Sequence, residues 1–272
     1  MGFPTVSIIT PSFNQAQFLP ATLRSIRDQD YPQIEHIVID GGSIDGSLEI
    51  LRAAPAIRWI SEPDRGQVDA LNKGFALATG DVLAWLNSDD LFETDTVRQA
   101  VAALERTGAD AVYGDLQIVD PDGGFRRWFR GVPFNLRMLL YGINYIGQQT
   151  VFFRRDLLQR AGPLREEFDN GFDYELWLRF ARHGRWAYAP EIRGRVRVHP
   201  AAKSVAARQR TWTDSARIRR EYWSDGGLPW WCGRSPWRRL GEWFYRGRRQ
   251  WRIFLSAIHQ PTLAGKARLR VG

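Results

Sequence analysis

The sequence predicts an α/β fold, in which helices flank a mostly parallel central sheet and a helical, basic appendage follows. Strand and helix patterns alternate along the first half of the chain, at the spacing of right-handed βαβ units. Four successive strands are each followed by polar residues, namely Ser12 and Asn14, Asp40, Glu62 and Asp64, and Asp89 and Asp90. The carboxyl ends of parallel strands meet at one edge of a sheet, so these residues are expected to form one ligand site.

The stretch 82–86 is a continuous apolar run that is followed by Asn87, Asp89 and Asp90. Such a run is typical of a strand buried on both faces of a parallel sheet. Adjacent carboxylates repel one another unless a cation or a donor-rich ligand lies between them. Their hard oxygen atoms suit Mg²⁺ or Mn²⁺. The alternative is that Asp89 or Asp90 caps a helix near Thr94.

The other elements of the first half follow from apolar spacing and from turn residues. They are a strand at 6–10 ended by Pro11, a helix on Phe18, Leu19, Leu23 and Ile26, a strand at 34–39, a helix after the glycine-rich turn 41–47, a strand at 57–60, and helices at 68–77 and 96–106. This order predicts successive βαβ units.

The second half predicts strands at 111–115 and 116–119, and the residues Asp-Pro-Asp-Gly-Gly at 120–124 predict a tight turn. A short amphipathic helix is expected at 134–141, as a lid over the site. A strand at 148–153, a helix at 155–160, a helix that begins near Asp173 and a strand before His199 complete the predicted domain.

Four motifs, taken in order, resemble those of the family 2 glycosyltransferases, which have the GT-A fold. They are the stretches 7–14, 38–47, 64–74 and 86–90. The resemblance extends to about residue 205. It implies a GT-A domain at 1–205, with a nucleotide-sugar-binding half at 1–110 and an acceptor half at 111–205, and a helical extension rich in Arg and Trp at 206–272.

The resemblance also implies a bound nucleoside-diphosphate sugar and a divalent cation, Mn²⁺ or Mg²⁺. Asp40 would contact the base, Asp89 the ribose and Asp90 the metal. His199 would be a second metal ligand, and Lys203 would lie near the diphosphate. The family often has Asp at the position of Asn87. The whole nucleotide-sugar site is expected to comprise Pro11, Ser12, Phe13, Asn14, Asp40, Gly42, Ser43, Asp64, Arg65, Gln67, Asn72, Asn87, Ser88, Asp89 and Lys203.

Asp173 is expected to be the general base. The family has an acidic pair before Tyr-Glu-Leu-Trp, and its Asp is the base; Phe172 stands at the first position of that pair and Asp173 at the second. Glu175 is the alternative base. Asp173 could instead have only a structural role, since an acidic residue in the first turn complements the helix dipole. As a base it would serve a single displacement that inverts the sugar's anomeric configuration.

The net charge of +8 is unevenly distributed along the chain. Residues 193–272 contain 19 Lys and Arg against 4 Asp and Glu, whereas residues 1–192 contain 19 against 26. One helical stripe carries Trp237, Leu240, Trp243, Phe244, Trp251, Phe254, Leu255 and Ile258, and the opposite face carries Arg238, Arg239, Arg246, Arg248, Arg249 and Arg252. This composition indicates a helix that lies on a membrane surface. Packing on the catalytic domain is the alternative, and no nucleic acid is expected because no base-reading motif accompanies the arginines.

Several observations bear on location. Cys232 is the only cysteine, which indicates a reducing cytoplasm. No stretch approaches the roughly 20 apolar residues of a membrane-spanning helix, and the first residues lack the charged and apolar regions of a signal peptide. The expected location is therefore cytoplasmic, with peripheral attachment to the cytoplasmic face of a membrane.

The predicted reaction is transfer of a sugar from its nucleoside diphosphate to a hydroxyl of an envelope or exopolysaccharide glycan, or of a lipid-linked acceptor. The dinucleotide-binding and P-loop patterns are absent, which argues against hydride transfer and ATP hydrolysis. A nucleotidyltransferase would need an early basic glycine-rich loop, and residues 11–18 contain no Lys or Arg. A non-catalytic scaffold or membrane-binding protein that retains the fold remains the alternative.

Overall fold

The structure is a computed structural model that describes residues 2–141, 144–203 and 208–225. The strands are β1 (Val6–Ser12), β2 (Ile34–Asp40), β3 (Arg58–Ser61), β4 (Val82–Trp85), β5 (Leu91–Phe92), β6 (Ala111–Val119), β7 (Phe125–Phe129), β8 (Phe152–Arg154) and β9 (Trp186–Arg197). The helices are α1 (Leu19–Arg27), α2 (Ser47–Ala53), α3 (Gln67–Leu77), α4 (Thr96–Thr107), α5 (Leu136–Tyr141), α6 (Arg155–Ala161), α7 (Phe172–His183) and α8 (Arg208–Asp225).

All these strands belong to one sheet, in the order β3-β2-β1-β4-β8-β6-β9-β5, and β7 pairs with β6. The first four strands in this order are mutually parallel. β8 is antiparallel to both β4 and β6, and it joins the parallel half to the pair β6 and β9, which is again parallel. The predicted α/β class is confirmed, and the carboxyl ends of β1 to β4 meet at one edge as expected.

Alternating residues of the central strands bury two separate hydrophobic clusters. Ile9, Leu83 and Trp85 point towards the cluster that contains α3, α5 and α7. Ile8 and Ala84, with their neighbours, point towards the cluster formed with α4 and the end of α1. A strand with apolar residues on both faces needs helices on both sides, which explains the unbroken apolar runs in the sequence.

Two predicted strand boundaries are wrong. β1 continues through Pro11 to Ser12, because β4 pairs only with Val6 to Ile9 and the missing N–H of Pro11 lies where that side of β1 has no partner strand. The predicted strand at 148–153 is a 3₁₀ turn (Gln148–Thr150) followed by β8. The turn forms because the two glutamine amides are buried and bond to residues near β4.

The region 111–141 partly matches its prediction. Residues 111–119 form one strand instead of two, and the turn at 120–124 is confirmed by hydrogen bonds between Asp120 and both Gly123 and Gly124. It leads into β7, which the sequence pattern did not reveal. The helix predicted at 134–141 is α5; Leu139 is fully buried, and its carbonyl accepts a hydrogen bond from Tyr174 of α7. Its role as a lid stays a prediction.

Helix α8 packs into the same cluster as α7. Ile218 and Tyr222 are buried there, and the Tyr222 hydroxyl donates to the carboxylate of Glu175, which is itself fully buried. Glu175 also pairs with Arg179 at 2.8 Å. Helix α8 lies at the start of the segment 206–272, for which the sequence predicts a helical extension. The domain boundary at residue 205 stays a prediction, and the Arg and Trp stripe from Trp237 to Ile258 lies outside the described residues. None of the described helices is both long and apolar enough to cross a membrane.

Tyr222→Phe is expected to lower the free energy of unfolding by about 1.5–3 kcal/mol, because it removes a hydrogen bond to a buried carboxylate. Tyr31→Phe is the matched control: it removes a hydroxyl that donates to the neutral carbonyl of Pro4, and a loss of about 0.5–1.5 kcal/mol is expected. Urea unfolding followed by circular dichroism measures both changes. Equal losses in the two variants would contradict the stronger anchoring of α8.

Candidate active site

A cleft with a volume of about 930 Å³ opens at the carboxyl ends of the parallel strands. Of the site residues predicted from the sequence, the following line it: Pro11, Ser12, Phe13, Asp64, Gln67, Asn87, Ser88, Asp89, Asp90, Asp173 and Lys203. The cleft therefore brings together the predicted base and the acidic pair, although α7 and the end of β4 lie far apart in sequence. Parallel strand order places the acidic pair there, and the packing of α7 against Trp85 places Asp173.

Asp40, Gly42 and Ser43 form a buried loop beside the cleft. The Asp40 carboxylate is fully buried and accepts hydrogen bonds from the amides of Gly42 and Ser43, at 3.0 and 2.9 Å, and from the hydroxyls of Ser43 and Ser61. Gly42 has a φ of 83°, a conformation that suits glycine. Asp40 thus shapes this loop with both its oxygens, and its predicted contact with the base stays a prediction.

Four other predicted residues also lie outside the cleft lining, namely Asn14, Arg65, Asn72 and His199. The amide of Asn14 bonds to Ser43, and its side-chain oxygen accepts from Ile44, so it ties the loops after β1 and β2 together. Arg65 is exposed and pairs with Asp69 and Glu166. Asn72 bonds to both the amide and the carbonyl of Leu164. These contacts organise the surroundings of the site.

Asp90, in the loop after β4, is buried and its side chain accepts three hydrogen bonds. One of its oxygens accepts from the Arg197 amide at 3.0 Å, and the other accepts from the side chains of Gln149 at 2.6 Å and Asn87 at 3.2 Å. Burial raises the pKa of Asp90, and the negative charge of Asp89 raises it further. The backbone carbonyls of Ser88 and Asp90 both accept from Thr22 of α1. Neither aspartate caps α4, so the helix-cap alternative is wrong.

Asp89 contacts His199, with 3.0 Å between Asp89 Oδ2 and His199 Nε2. The imidazole also packs on the ring of Phe18, with 4.5 Å between the ring centroids. Among the described residues no three His, Cys, Asp or Glu side chains form a ready metal cluster. Mg²⁺ and Mn²⁺ nevertheless fit this donor set, because such ions often use one or two protein ligands and take the others from water and substrate phosphates.

Asp173 lies in the first turn of α7 and is partly buried. Its Oδ2 accepts from the Asn144 side chain at 3.2 Å. Loss of solvent raises the pKa of Asp173, although hydrogen bonds from the backbone of this turn and from Asn144 oppose the rise, as does the charge of Lys203. A carboxylate with a raised pKa is a better proton acceptor at neutral pH. Glu175, the alternative base, is fully buried between Arg179 and Tyr222 and does not line the cleft.

Lys203 lies at the rim of the cleft, paired with Asp169 at 2.6 Å and 3.4 Å from Gln67 Oε1. The Gln67 side chain in turn donates to Asn87 at 2.7 Å. Amide side chains thus connect the rim to the acidic pair.

Sequence reasoning missed Gln148, Gln149 and Arg197, which all line the cleft. Two adjacent glutamines within an otherwise apolar run were the available signal for the first two. Arg197 is 5% exposed, its guanidinium lies 4.7 Å from the centroid of the Phe18 ring, and its Nε is buried without a hydrogen-bond partner in the described part of the chain. Its position two residues before His199 gave no distinct signal, since three arginines alternate along this strand.

The family model described as Glycosyl transferase family 2 matches residues 7–162. An uncharacterized glycosyltransferase of Mycobacterium tuberculosis is 41% identical over 185 residues, which cover 65% of this chain and 69% of the relative. A PGL/p-HBAD biosynthesis glycosyltransferase of Mycobacterium bovis is 38% identical over 186 residues, which cover 66% of this chain and 70% of the relative.

Solved structures share the fold. A mannosyltransferase of Pyrobaculum calidifontis, in complex with GDP-Man and Mn²⁺, superimposes with a TM-score of 0.65 and 22% identity, over 95% of this chain and 76% of its own. S. aureus TarS in complex with UDP-GlcNAc superimposes with a TM-score of 0.58 and 19% identity, over 72% of this chain and 59% of its own. Over the longer TarS chain, the match spans 39% of its length. The predicted GT-A type of fold is confirmed.

Proposed function

Because the chain belongs to glycosyl transferase family 2, and is thus a glycosyltransferase, we propose that it moves a sugar from a nucleoside diphosphate to an acceptor hydroxyl with inversion. The observation that carries this proposal is the shared cleft, in which Asp173 and the pair Asp89 and Asp90 line one cavity. The relatives named above support a nucleotide-sugar donor and an envelope glycan or lipid-linked acceptor.

Three residues that line the cleft have a buried polar atom without a partner in the described residues. Two of them, Ser12 and Arg197, support a polar, anionic donor; the third, Trp85, lies in the hydrophobic cluster. Ser12 Oγ and Arg197 Nε are both buried without a partner in the described residues, and both residues line the cleft. An unpaired buried group of this kind is unfavourable, and a charged one more so. A nucleoside diphosphate would supply acceptors for both, with its phosphates at Arg197.

We assign the divalent cation, Mn²⁺ or Mg²⁺, to Asp89 and His199, and give Asp90 a supporting role. This differs from the roles that the resemblance implied, in which Asp90 binds the metal and Asp89 contacts the ribose. The reason is that three donors already occupy the Asp90 oxygens, whereas Asp89 lies against the imidazole. When bound, the cation would neutralise the diphosphate leaving group by Lewis-acid catalysis.

Asp173 then serves as the base. Its carboxylate accepts the proton of the acceptor hydroxyl as the hydroxyl oxygen attacks the anomeric carbon, while the bond from that carbon to the diphosphate oxygen breaks. One displacement from the opposite face inverts the configuration and needs no covalent intermediate. Asn144 holds the carboxylate by its amide, and Lys203 adds positive charge near it. We further propose that the reaction takes place at the cytoplasmic face of a membrane, with the basic extension on its surface.

Thermal unfolding is expected to shift with one of UDP, GDP, CDP and dTDP, and more strongly with Mn²⁺. A ligand at about 100 times its dissociation constant adds about 2.7 kcal/mol to stability. Asp89→Asn should abolish the Mn²⁺-dependent part, whereas Asp122→Asn in the exposed β6–β7 turn should not. No shift with any nucleotide would favour the non-catalytic scaffold, and a Mn²⁺ effect that survives in Asp89→Asn would refute the metal assignment.

Asp173→Asn is expected to lower transfer about 10²- to 10⁴-fold, the range for loss of a general base. Nucleotide binding should persist, because Asp173 contacts the acceptor hydroxyl and not the donor. The assay is release of the nucleoside diphosphate with an envelope lipid extract as acceptor mixture, beside the thermal shift. Undiminished turnover would show that another group is the base, and product NMR that finds a retained anomeric configuration would reject the inverting displacement.

Arg197→Gln is expected to weaken nucleoside-diphosphate binding about 10- to 100-fold, the effect of losing a charged hydrogen bond of about 1.5–3 kcal/mol. Binding of the matching nucleoside monophosphate should change less. Isothermal titration calorimetry, with and without Mn²⁺, measures both ligands, and Arg197→Lys keeps the charge as a control. If both ligands weaken equally while the melting temperature falls, Arg197 only supports Phe18 and does not bind the diphosphate.

A further inference from the structure

One face of the second half of the sheet forms a wall of the cleft. Across β6 and β7, Leu116 pairs with Phe129 and Ile118 with Arg127. Across β6 and β9, Ile118 pairs with Val196. Side chains alternate between the faces of a strand, so paired residues at alternate positions share one face. These five residues all line the cavity, and we call them the β6 wall.

The opposite face of the same strands has a different character. Gln117 and Arg195 both bond to Glu93 there, at 2.6 Å, and the ring of Trp128 lies 4.2 Å below the Arg130 guanidinium. The polar side chains of this region are thus engaged away from the cleft. Four of the five side chains of the β6 wall are hydrocarbon, and Ile146 also lines the cavity.

Arg127 is the one charged member of the β6 wall. It is exposed, and within the described ranges it has neither a hydrogen bond nor an ion pair, in contrast to Arg130, which pairs with Asp115 at 2.6 Å. The neighbouring Arg126 is equally exposed but lies at the other phase of the strand and outside the cleft lining. The wall therefore combines an apolar surface with one available cation at its edge.

The position of the β6 wall indicates which of the two substrates it contacts. The features assigned to the donor, Ser12, Asp89 and Arg197, lie at the ends of β1, β4 and β9, whereas the wall occupies β6, β7 and the penultimate position of β9. A transferase must hold both substrates in one cleft. A sugar packed against this wall would lose water from its hydroxyls without gaining hydrogen bonds, which is unfavourable. Apolar groups gain free energy there instead.

We propose that the β6 wall binds an amphipathic acceptor, in which an apolar chain or ring carries a phosphate or carboxylate that pairs with Arg127. This inference rests on the proposed glycosyltransferase function. Of the acceptors proposed above it selects those with an apolar aglycone, and it names the residues that would bind them. It assigns acceptor specificity to the β6–β7 hairpin and to Val196 of the adjacent strand β9.

The test uses small probes with the full chain, at concentrations below micelle formation. Octyl phosphate and octanoate carry both features and differ in the anion, octanol carries only the apolar chain, inorganic phosphate only the charge, and maltotriose is an uncharged glycan. Isothermal titration calorimetry should find tightest binding for one of the two amphipathic anions, and this also identifies the preferred anion. Tighter binding of maltotriose would overturn the proposal.

Variants of the β6 wall test whether the probes bind there. Arg127→Gln should weaken the preferred anion about twofold to fivefold, as expected for an exposed charge pair, and leave octanol unchanged. Val196→Thr, which preserves the shape of the side chain, should weaken both probes on the order of fivefold by making the surface polar. Arg126→Gln is the matched control and should have no effect. Binding that is insensitive to Arg127→Gln and Val196→Thr would place the probe elsewhere, for example on the C-terminal extension, and would overturn the proposal.

The nucleotide thermal-shift series, run on the same samples, separates this inference from the function on which it rests. Nucleotide binding together with a failed probe series rejects the amphipathic acceptor and leaves the transferase intact. Probe binding that depends on Arg127, in a chain that binds no nucleotide, supports the wall as a binding site and rejects sugar transfer.

Discussion

One buried carboxyl group links the two halves of this protein where they meet at the cleft. Asp90 follows the last parallel strand of the first half, yet its oxygens accept from Gln149 in the turn before β8 and from the backbone of Arg197 at the end of β9. Its own backbone carbonyl accepts from Thr22 of α1. A buried carboxyl group tolerates little change in its partners, because each lost donor leaves a buried oxygen unpaired. The hydrogen bonds to Asp90 therefore tie the turn before β8 and the end of β9 to the loop that carries the acidic pair.

Much of the fold could be predicted because, in the first half of the chain, short stretches of sequence indicate each strand and helix. Apolar runs such as 82–86, turn residues and polar strand ends all indicate parallel βαβ units, and the structure has them. The residues of the site could be predicted only in part. A strand-end aspartate can point into the cleft, as Asp89 does, or back into its own loop, as Asp40 does, and the sequence pattern is the same for both.

The remaining features depend on contacts between distant segments. Gln148 and Gln149 form a turn because their amides reach the end of β4, and no local propensity indicates this. Strand β7 was missed because five residues rich in Arg and aromatics do not alternate as a half-buried strand should. The orphaned Nε of Arg197 is also a tertiary property, since it arises from the ring of Phe18 and from what surrounds both residues.

The contact between Tyr222 and Glu175 limits where the C-terminal part of such an enzyme can be exchanged. Asp173 lies in the first turn of the helix that contains Glu175, and α8, at the start of the extension, packs against that helix. A protein cut or fused at residue 205 would lose one of the partners of Glu175, a buried carboxylate two residues from the proposed base, and would expose the apolar surface under Ile218. Exchange of extensions between relatives, whether by recombination or in the laboratory, should therefore preserve function only when the junction falls after α8.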